Sequence, residues 1–497
     1  MPHPTWQGPT RLPGTGPLPR RLATAVVDAL ASGALHPGDA LLPSRRLAGQ
    51  LGIGRGAVVA AYDELTAAGY LEARPGSGTF VVEGAAEAAR RSAGPPPPVG
   101  RSLAGPVEDT GLGAPTPPPD ALDLRPGHAE PALISTRDWR AAWRHGIPDP
   151  PGAEALSRVQ HPELQEALAG HLRRMRGVTA TPDEVVVVPG ASAAFTLLAV
   201  AAGLAGADVA VEDPGYRRAR AAFVGAGAGV RPVPVDEDGL DPGLLRPTDA
   251  AVYLTPAHQY PLGARMPVAR RGELVDLAHR QGTLVVEDDY DGEFRYGVAP
   301  MPALRSVPGG AGCVAYVGTA SKVLTPDLGL AWVVPPPHLL AAVRRAQDQL
   351  SLGASPVAAR ALAHLVGSGA LGRQLGRAAR LYRARRDALV AALRRRCPDL
   401  RVAGVEAGLH LVVLLDDGDG NTDGGTDTAV VDRLRSAGIW VEALSGYFLG
   451  RTRPGLVIGY SRLPESRAPL VAEALAQAVL RPAEALADRA DSVGRRE

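Results

Sequence analysis

Val317-Gly318-Thr319-Ala320-Ser321-Lys322 contains the most informative residue of the chain. Lys322 is the single lysine among 497 residues, and all other members of the 53 Lys and Arg residues are arginine. An arginine stays protonated, whereas a lysine can lose its proton and condense with an aldehyde. A lysine left by chance on a solvated loop is the alternative. The neighbours favour a chemical role, because a turn after the apolar strand at 313–317 places the hydroxyls of Thr319 and Ser321 beside the amine.

Short apolar runs alternate with helical patterns through most of the chain beyond residue 120. They cover residues 185–188, 208–212, 251–254, 283–286 and 314–317. Apolar strands that alternate with helices are typical of a parallel sheet covered on both faces, so the sequence predicts an α/β fold. The ligand of such a sheet binds at the carboxyl ends of the strands, and Lys322 follows the end of the last of these runs.

The lysine segment also matches a known pattern. Gly318-Thr319-Ala320-Ser321-Lys322, followed by Leu324 and Pro326, resembles the cofactor-lysine segment of fold-type I pyridoxal 5'-phosphate (PLP) enzymes. A phosphate would suit Gly190-Ala191-Ser192, which opens a helix after an apolar strand, because backbone N–H groups and the helix dipole bind anions there.

Two further strand ends carry residues that suit a pyridine ring. Tyr216 follows the strand at 208–212 and can stack on the ring. An aspartate within 287–289 can bind the protonated ring nitrogen, and Tyr290 can reach the phenolic oxygen. Each residue alone has a plainer alternative, namely a packing tyrosine, a solvated acidic loop or, at Gly190, a common turn. The order of these residues along the strand ends, together with the sole lysine, favours the cofactor.

The first 83 residues follow a different pattern. A helix from Leu18, a second after Ser44 and a third ending at Gly69 precede two short strands joined by Pro75-Gly76-Ser77-Gly78. Three short helices and a hairpin are typical of a winged helix-turn-helix domain. A small helical domain with a solvated basic surface is the alternative, since residues 1–84 carry seven arginines against six acidic residues.

The stretches Leu42-Pro43-Ser44-Arg45-Arg46-Leu47-Ala48 and Gly76-Ser77-Gly78-Thr79-Phe80-Val81 resemble the DNA-binding domain of GntR-type regulators. The resemblance implies contacts with phosphates, guanine edges and the minor groove of double-stranded operator DNA. The implied contact residues are Arg45, Arg46, Arg55 and, at the wing tip, Gly76, Ser77 and Gly78. Gly54 and Ala57 stand where that family usually has Ser and Thr, so two hydrogen-bond donors are missing at the recognition helix.

Composition sets the domain boundaries. Residues 84–120 are rich in Ala, Gly and Pro, so we expect a linker between a DNA-binding domain at 1–83 and a large domain at 121–485, with a charged tail at 486–497. Cys313 and Cys397 offer neither a disulfide framework nor metal-ligand spacing, which favours a reducing cytoplasm and no metal site. The net charge of +1 gives no strong field, and no long apolar run predicts a membrane span.

Over about residues 18–470 the chain resembles the MocR subfamily of GntR-type regulators. The stretches that carry this resemblance are Glu212-Asp213-Pro214-Gly215-Tyr216, Thr255-Pro256-Ala257-His258-Gln259-Tyr260-Pro261-Leu262-Gly263, Glu287-Asp288-Asp289-Tyr290-Asp291-Gly292-Glu293-Phe294-Arg295-Tyr296 and the lysine segment. The resemblance implies a winged helix fused to a fold-type I aminotransferase-like domain. It also implies a homodimer, with PLP or its adduct with an amine or amino acid as the signal.

The same resemblance assigns roles to residues. Lys322 would bind the aldehyde of PLP covalently, Asp288 would pair with the ring nitrogen and Tyr290 with the phenolic oxygen. The remaining implied cofactor residues are Tyr216, Ala191, Ser192, Thr319 and Ser321, and the implied effector residues are Arg218 and Tyr260.

Two positions depart from the family pattern. Gly329 replaces an arginine that usually binds the cofactor phosphate, and Val457 stands where aminotransferases place an arginine for the substrate carboxylate. The sequence therefore favours a PLP-responsive regulator of vitamin B6, amino-acid or amine metabolism over an active aminotransferase with a DNA-binding tether. A regulator that uses the large domain as a PLP-free scaffold is a third hypothesis, which Gly329 supports and the sole lysine opposes.

Overall fold

The computed structural model describes residues 6, 8–74, 77–93, 115–148, 159–296, 301–404, 406–415 and 425–480. The chain forms two compact units, Met1–Pro106 and Val107–Glu497. None of the described helices is both long enough and apolar enough to cross a membrane. The predicted wing residue Gly76 and the predicted tail at 486–497 lie outside the described residues.

The first unit is a helical domain with one hairpin. Its elements are α1 Leu18–Ala31, α2 Ser44–Leu51, α3 Arg55–Ala67, β1 Leu71–Arg74, β2 Gly78–Val81 and α4 Ala85–Ala93. Leu22, Val26 and Leu30 recur at four-residue spacing and are fully buried, so α1 has one apolar face that packs on α3. Gly52 ends α2 in the left-handed conformation, which glycine adopts without strain. The hairpin is antiparallel, which confirms the winged helix-turn-helix prediction.

Helix α4 corrects the expected start of the linker. The sequence predicted a linker from residue 84, but Ala85–Ala93 is helical and packs on α1. Ala85 and Ala89 are buried in the same apolar cluster as Leu22. Alanine has the highest helix propensity, so an Ala-rich stretch becomes a helix where a neighbouring surface covers its apolar side. Of the remaining expected linker, 94–114 lie outside the described residues and 115–120 form neither helix nor strand.

The second unit contains both helices and strands in alternation. Its helices are α5 Thr136–Gly146, α6 Pro162–Arg176, α7 Ala191–Ala201, α8 Arg217–Gly225, α9 Val268–Gln281, α10 Ala320–Val323, α11 Leu340–Gln349, α12 Pro356–Gly367, α13 Ala370–Arg396, α14 Gly425–Ser436 and α15 Ala468–Leu480. Its strands are β3 Leu122–Asp123, β4 Val186–Val188, β5 Asp208–Asp213, β6 Gly229–Asp236, β7 Gly239–Leu240, β8 Asp249–Leu254, β9 Leu284–Asp288, β10 Val314–Thr319, β11 Ala331–Val334, β12 Arg401–Ala403, β13 His410–Leu414, β14 Ile439–Trp440, β15 Glu442–Ala443 and β16 Gly455–Gly459.

Among the described residues the large sheet has the strand order β4-β11-β10-β9-β8-β5-β6-β7. Strands β10, β9, β8, β5 and β6 run parallel, as the buried apolar runs predicted for most of them. Val209 and Val211 pack in one apolar cluster and Ala210 in another, so both faces of β5 are covered. The sheet is mixed rather than purely parallel, because β11 is antiparallel to both neighbours. A short apolar run carries no information on strand direction, which is why the sequence did not reveal this.

A smaller sheet of this unit has the strand order β12-β13-β16-β15. Separately, β3 pairs in parallel with β14, where the amide of Leu122 donates to Gly438 and that of Leu124 donates to Trp440. This pairing fixes the chain immediately after the predicted linker. The loop that follows β3, residues 124–130, then reaches the carboxyl edge of the large sheet at Lys322.

Candidate functional site

Adjacent parallel strands bring the predicted residues together at one edge of the large sheet. Val317 of β10 lies opposite Asp288 of β9, so the segment that carries Lys322 leaves the sheet beside the end of β9. Tyr253 of β8 lies opposite Val286 of β9 and also points into this edge. The carboxyl ends of the strands therefore form the candidate site, as expected for an α/β sheet.

Lys322 lies on α10, which begins directly after β10. Its Nζ donates a hydrogen bond to the carbonyl oxygen of Gly127 at 2.8 Å. Burial, together with repulsion by the Arg218 guanidinium, lowers the pKa of Lys322 to about 8. A much larger fraction of this amine is unprotonated near neutral pH than for an exposed lysine, so it can act as a nucleophile.

The hydroxyls of Thr319 and Ser321, which the sequence predicted to lie beside the amine, have different surroundings. Thr319 caps α10, since its hydroxyl accepts from the amide of Ser321 at 3.2 Å and lies 3.4 Å from the carbonyl of Leu330. Thr319 therefore stabilises the turn that presents Lys322. Ser321 is half-buried beside the lysine.

Asp288 is a buried carboxylate whose side chain accepts a hydrogen bond from the hydroxyl of Tyr253 at 2.7 Å. Burial raises the pKa of Asp288 to about 7, although the Tyr253 hydrogen bond opposes the rise. A buried carboxyl with such a pKa gains most from a neighbouring cation, and a protonated ring nitrogen is a cation. Asp288 and Lys322 thus fit the two reactive positions of PLP.

Tyr290 lies next to the buried pair of His258 and Asp291, for which the sequence predicted no role. The hydroxyl of Tyr290 is 3.0 Å from Nδ1 of His258, and the same Nδ1 is 2.7 Å from Oδ2 of Asp291. Burial raises the pKa of the Tyr290 hydroxyl well above its ordinary value, so this hydroxyl keeps its proton. His258 occurs in the quoted stretch 255–263, but nothing local to it indicates contact with Tyr290.

The aromatic residues form a connected wall. Tyr216 is half-buried at the start of α8, with its ring centroid 5.7 Å from that of Tyr260. The Tyr260 hydroxyl is 3.0 Å from that of Tyr447, which donates to Glu442. Arg217 also binds Glu442, at 3.0 Å. Tyr216 and Tyr260 are therefore brought together, while the hydroxyl of Tyr260 is hydrogen-bonded to that of Tyr447.

The predicted effector residue Arg218 has a different setting. It is exposed, and its charge acts on both Lys322 and Tyr216. A cation in this position can attract an anionic group of a ligand toward the site.

The predicted phosphate-binding residues Ala191 and Ser192 lie at the start of a helix. Gly190 has φ 108° and turns the chain into α7, so Ala191 and Ser192 occupy its first turn. The first N–H groups of a helix have no partner within the helix and favour an anion. Gly329 is left-handed with φ 57°, and a Cβ built there would meet nothing within 4 Å. A side chain at this left-handed position would strain the backbone, so glycine suits the turn and offers no charged group there.

Val457 is fully buried on β16 in an apolar cluster. Its companions in that cluster are Val412, Leu414, Leu444 and Tyr447. The position for which the sequence predicts a loss of the aminotransferase arginine is thus packed in an apolar cluster. A carboxylate brought there would lose its hydration without gaining a charged partner.

The predicted DNA-contacting residues lie on the surface of the first unit. Arg45 and Arg46 are exposed on α2, and Arg55 is exposed at the first position of α3 with Nε 3.4 Å from the Ser44 hydroxyl. Ser77 and Gly78 are exposed at the tip of the hairpin. Side chains at the start of a recognition helix are the ones that reach bases and phosphates.

Comparison with known proteins covers both units. The aminotransferase class I and II family matches residues 136–455, and bacterial regulatory proteins of the gntR family match residues 18–81. The HTH-type pyridoxine biosynthesis transcriptional regulator PdxR of Corynebacterium glutamicum is 33% identical over 467 residues, which cover 93% of this chain and 96% of the relative. The probable rhizopine catabolism regulatory protein MocR of Rhizobium meliloti is 34% identical over 80% of this chain and 81% of that protein.

Solved structures show the same fold for the second unit. An archaeal alanine:glyoxylate aminotransferase superposes with a TM-score of 0.65 at 23% identity, over 72% of this chain and 90% of that one. At this identity the likeness concerns the fold. Aminotransferases of class I and II bind PLP, and the lysine, aspartate and helix N-terminus described above fit that cofactor.

Proposed function

The chain belongs to the GntR-type transcriptional regulators of the MocR and PdxR kind, which carry an aminotransferase class I and II domain, and from this premise we propose that PLP controls its affinity for operator DNA. The protein acts in the cytoplasm as a homodimer whose two winged helices span two half-sites. The observation that carries the proposal is Lys322, a sole lysine with a lowered pKa, facing a buried aspartate in a chain that also has a DNA-binding domain.

The residues of the site divide the work of holding the cofactor. Lys322 binds the aldehyde, Asp288 the protonated ring nitrogen, Tyr290 the phenolic oxygen, and the first turn of α7 at Ala191 and Ser192 the phosphate. When bound, PLP supplies an electrophilic carbon and a ring that withdraws electrons. To react, Lys322 would first lose its ammonium proton. Condensation with the aldehyde would then remove N–H hydrogens from Nζ as water leaves, and with them the hydrogen bond to Gly127.

Gly127 offers a route from the site toward the DNA-binding domain. It lies on the loop 124–130, directly after β3 and thus soon after the predicted linker. The segment that follows β16 holds this loop, because Ser461 donates to the carbonyl of His128 and Arg462 donates to that of Ala129 at 3.0 Å. Loss of the Lys322 contact releases the loop at Gly127, while the contacts at His128 and Ala129 remain. A change at Lys322 is therefore communicated to the start of the second unit.

The packing around Val457 restricts the effector. An ordinary amino acid brings an α-carboxylate, for which this position offers hydrocarbon. The effector is therefore PLP itself, or an amine that brings no carboxylate to this position. The name of the C. glutamicum relative, a pyridoxine biosynthesis regulator, supports target genes of vitamin B6 supply.

We expect PLP to change the affinity of the purified full-length protein for operator DNA by at least about fivefold, which is the lower end of typical coupling between two sites. Duplexes enriched from a random pool by binding to the protein serve as operator, and fluorescence anisotropy at fixed salt gives the affinities with and without PLP. Pyridoxine 5'-phosphate, which has no aldehyde, is the control and leaves the affinity unchanged. Equal affinities with and without PLP contradict the proposal.

We expect Arg55→Ala to weaken operator binding by about 1–3 kcal/mol, because the guanidinium at the start of α3 contacts a phosphate or a guanine. If the contact is to a phosphate, the slope of log affinity against log salt also falls by about one for each subunit. Arg91→Ala is the matched control, since Arg91 is exposed on α4 and paired with Glu87. Equal losses in both variants would indicate a general charge effect and no contact by Arg55.

A further inference from the structure

Tyr290 and Asp291 both contact His258 at the edge of the candidate site. Nδ1 of His258 is 2.7 Å from Oδ2 of Asp291 and 3.0 Å from the Tyr290 hydroxyl. The rings of His258 and Tyr290 stack with their planes 26° apart. His258 and Asp291 are about 2% and 1% exposed, so water does not compete for these contacts.

The position of the hydrogen on His258 follows from its partners. Although burial opposes it, the contact with His258 holds the pKa of Asp291 below its ordinary range, so Asp291 is ionised and only accepts hydrogen bonds. Nδ1 must therefore carry the hydrogen and donate it to Asp291. A nitrogen that carries a hydrogen cannot accept one from Tyr290, so in the 3.0 Å contact the Tyr290 oxygen accepts a share of the Nδ1–H that Asp291 also accepts. The proton of the Tyr290 hydroxyl is thus left for another acceptor.

The backbone fixes this pair in place. Gly408 has φ 75°, and a Cβ built on it would lie 2.3 Å from Oδ2 of Asp291 and 2.6 Å from Nδ1 of His258. Only a glycine lets the pair pack this closely against the chain. The 2.7 Å separation is that of a hydrogen bond, whereas two N and O ligands of one zinc ion lie about 3.3 Å apart. The pair is therefore a hydrogen-bonded unit even though His410 lies nearby.

We propose that His258 and Asp291 are positioning residues for Tyr290, which they hold with its O–H free to donate to the phenolic oxygen of bound PLP. This inference rests on the proposed cofactor function of the site. It adds two residues for which the sequence gave no role. His258 and Asp291 act through Tyr290 and do not touch the cofactor themselves.

The test is the pH midpoint of the visible absorbance of the PLP-loaded protein. A donated hydrogen bond stabilises the phenolate and so favours loss of the proton from the lysine–cofactor linkage. Tyr290→Phe is expected to raise the midpoint by about one pH unit, the equivalent of one charge-assisted hydrogen bond. His258→Phe keeps the stacked ring but removes the donor, and it should raise the midpoint to a similar extent.

Three further variants separate positioning from a structural effect. His258→Asn places an amide near the position of Nδ1, so its pH midpoint should lie close to that of wild type. Asp291→Asn removes the anion that fixes the hydrogen on His258, so its midpoint lies between those of wild type and Tyr290→Phe. The double variant His258→Phe with Tyr290→Phe gives no rise beyond Tyr290→Phe alone, because both changes remove the same hydrogen bond. The other charged or titratable groups around Tyr290 are Asp288, Tyr260, Arg295 and His410.

A cofactor analogue provides a second readout. With 3-deoxypyridoxal 5'-phosphate, which lacks the phenolic oxygen, His258→Phe and wild type should bind within about twofold of each other, whereas PLP binds more weakly to the variant. An unchanged midpoint in His258→Phe, or equal loss of affinity for both compounds, overturns the positioning role and leaves PLP binding intact. A wild-type protein that develops no visible band with PLP refutes the proposed function, and this inference with it.

Discussion

Lys322→Arg is expected to abolish covalent binding of PLP and with it the response of DNA binding to PLP. Arginine keeps a positive charge and a donor that can reach the carbonyl of Gly127, so the local contacts of the cofactor-free site are largely preserved. The guanidinium stays protonated, and no nucleophile remains. Titration with PLP should therefore give no new protein-bound visible band, and borohydride reduction should leave the protein mass unchanged.

The composition of the chain leaves few amines that could bind the aldehyde in place of Lys322. Since Lys322 is the only lysine, the α-amino group is the only other amine able to condense with an aldehyde. A band that persists in Lys322→Arg and disappears when the α-amino group is acetylated would assign binding to the chain terminus and contradict our assignment. Lys322→Ala is the companion variant, because it removes both the amine and the Gly127 contact. A difference in operator affinity between the cofactor-free Ala and Arg variants measures what the Gly127 contact contributes.

The sequence placed the candidate groups at one edge of the sheet because each follows a recognisable strand. Asp288 and Tyr290 come shortly after the run at 283–286 and Lys322 follows the run at 314–317, and parallel strands bring their carboxyl ends to one edge. The partners of these groups were not predictable in the same way. Gly127 is separated from Lys322 by 195 positions, and His258 from Tyr290 by 32. Such contacts depend on tertiary packing, which no local pattern records.

Helix α4 and strand β11 illustrate two other limits of the sequence. Ala85–Ala93 has the composition of a linker and also of a helix, and the buried contacts of Ala85 and Ala89 decide between them. Strand β11 is an apolar run whose direction is set by its antiparallel neighbours β4 and β10. Composition specifies neither outcome, because each depends on the surface that the segment meets.

The candidate site combines two predicted departures from the family pattern with two groups that have perturbed pKa values. Gly329 and Val457 stand where arginines for the phosphate and the carboxylate are predicted, while burial lowers the pKa of Lys322 to about 8 and raises that of Asp288 to about 7.

Asp288→Asn is expected to strengthen the cofactor-free fold while weakening PLP binding. Burial raises the pKa of Asp288 to about 7, far above the unfolded value of 3.8, so the native state binds a proton that the unfolded state releases. Wild-type stability contributed by this group therefore falls as pH rises from about 4 to 7, by about 1.4 kcal/mol for each pH unit. Asparagine cannot ionise and can still accept from Tyr253. Urea unfolding should show the variant several kcal/mol more stable at pH 8, with little difference at pH 4.

Binding of PLP should change in the opposite direction. Asparagine has no charge to pair with the ring nitrogen, so the dissociation constant from absorbance titration rises by about 10- to 150-fold, which corresponds to the loss of a charge-assisted hydrogen bond of about 1.5–3 kcal/mol. Asp289→Asn is the matched control, because the neighbouring Asp289 is also buried but pairs with Arg176 and accepts from Tyr316 at 2.8 Å. Breaking that pair should destabilise the protein by about 3–5 kcal/mol. If the Asp288 carboxylate serves to bind a cationic ligand, its replacement lowers the affinity for PLP and raises the stability of the protein. If Asp288→Asn destabilises the protein as Asp289→Asn does, the role of Asp288 is structural.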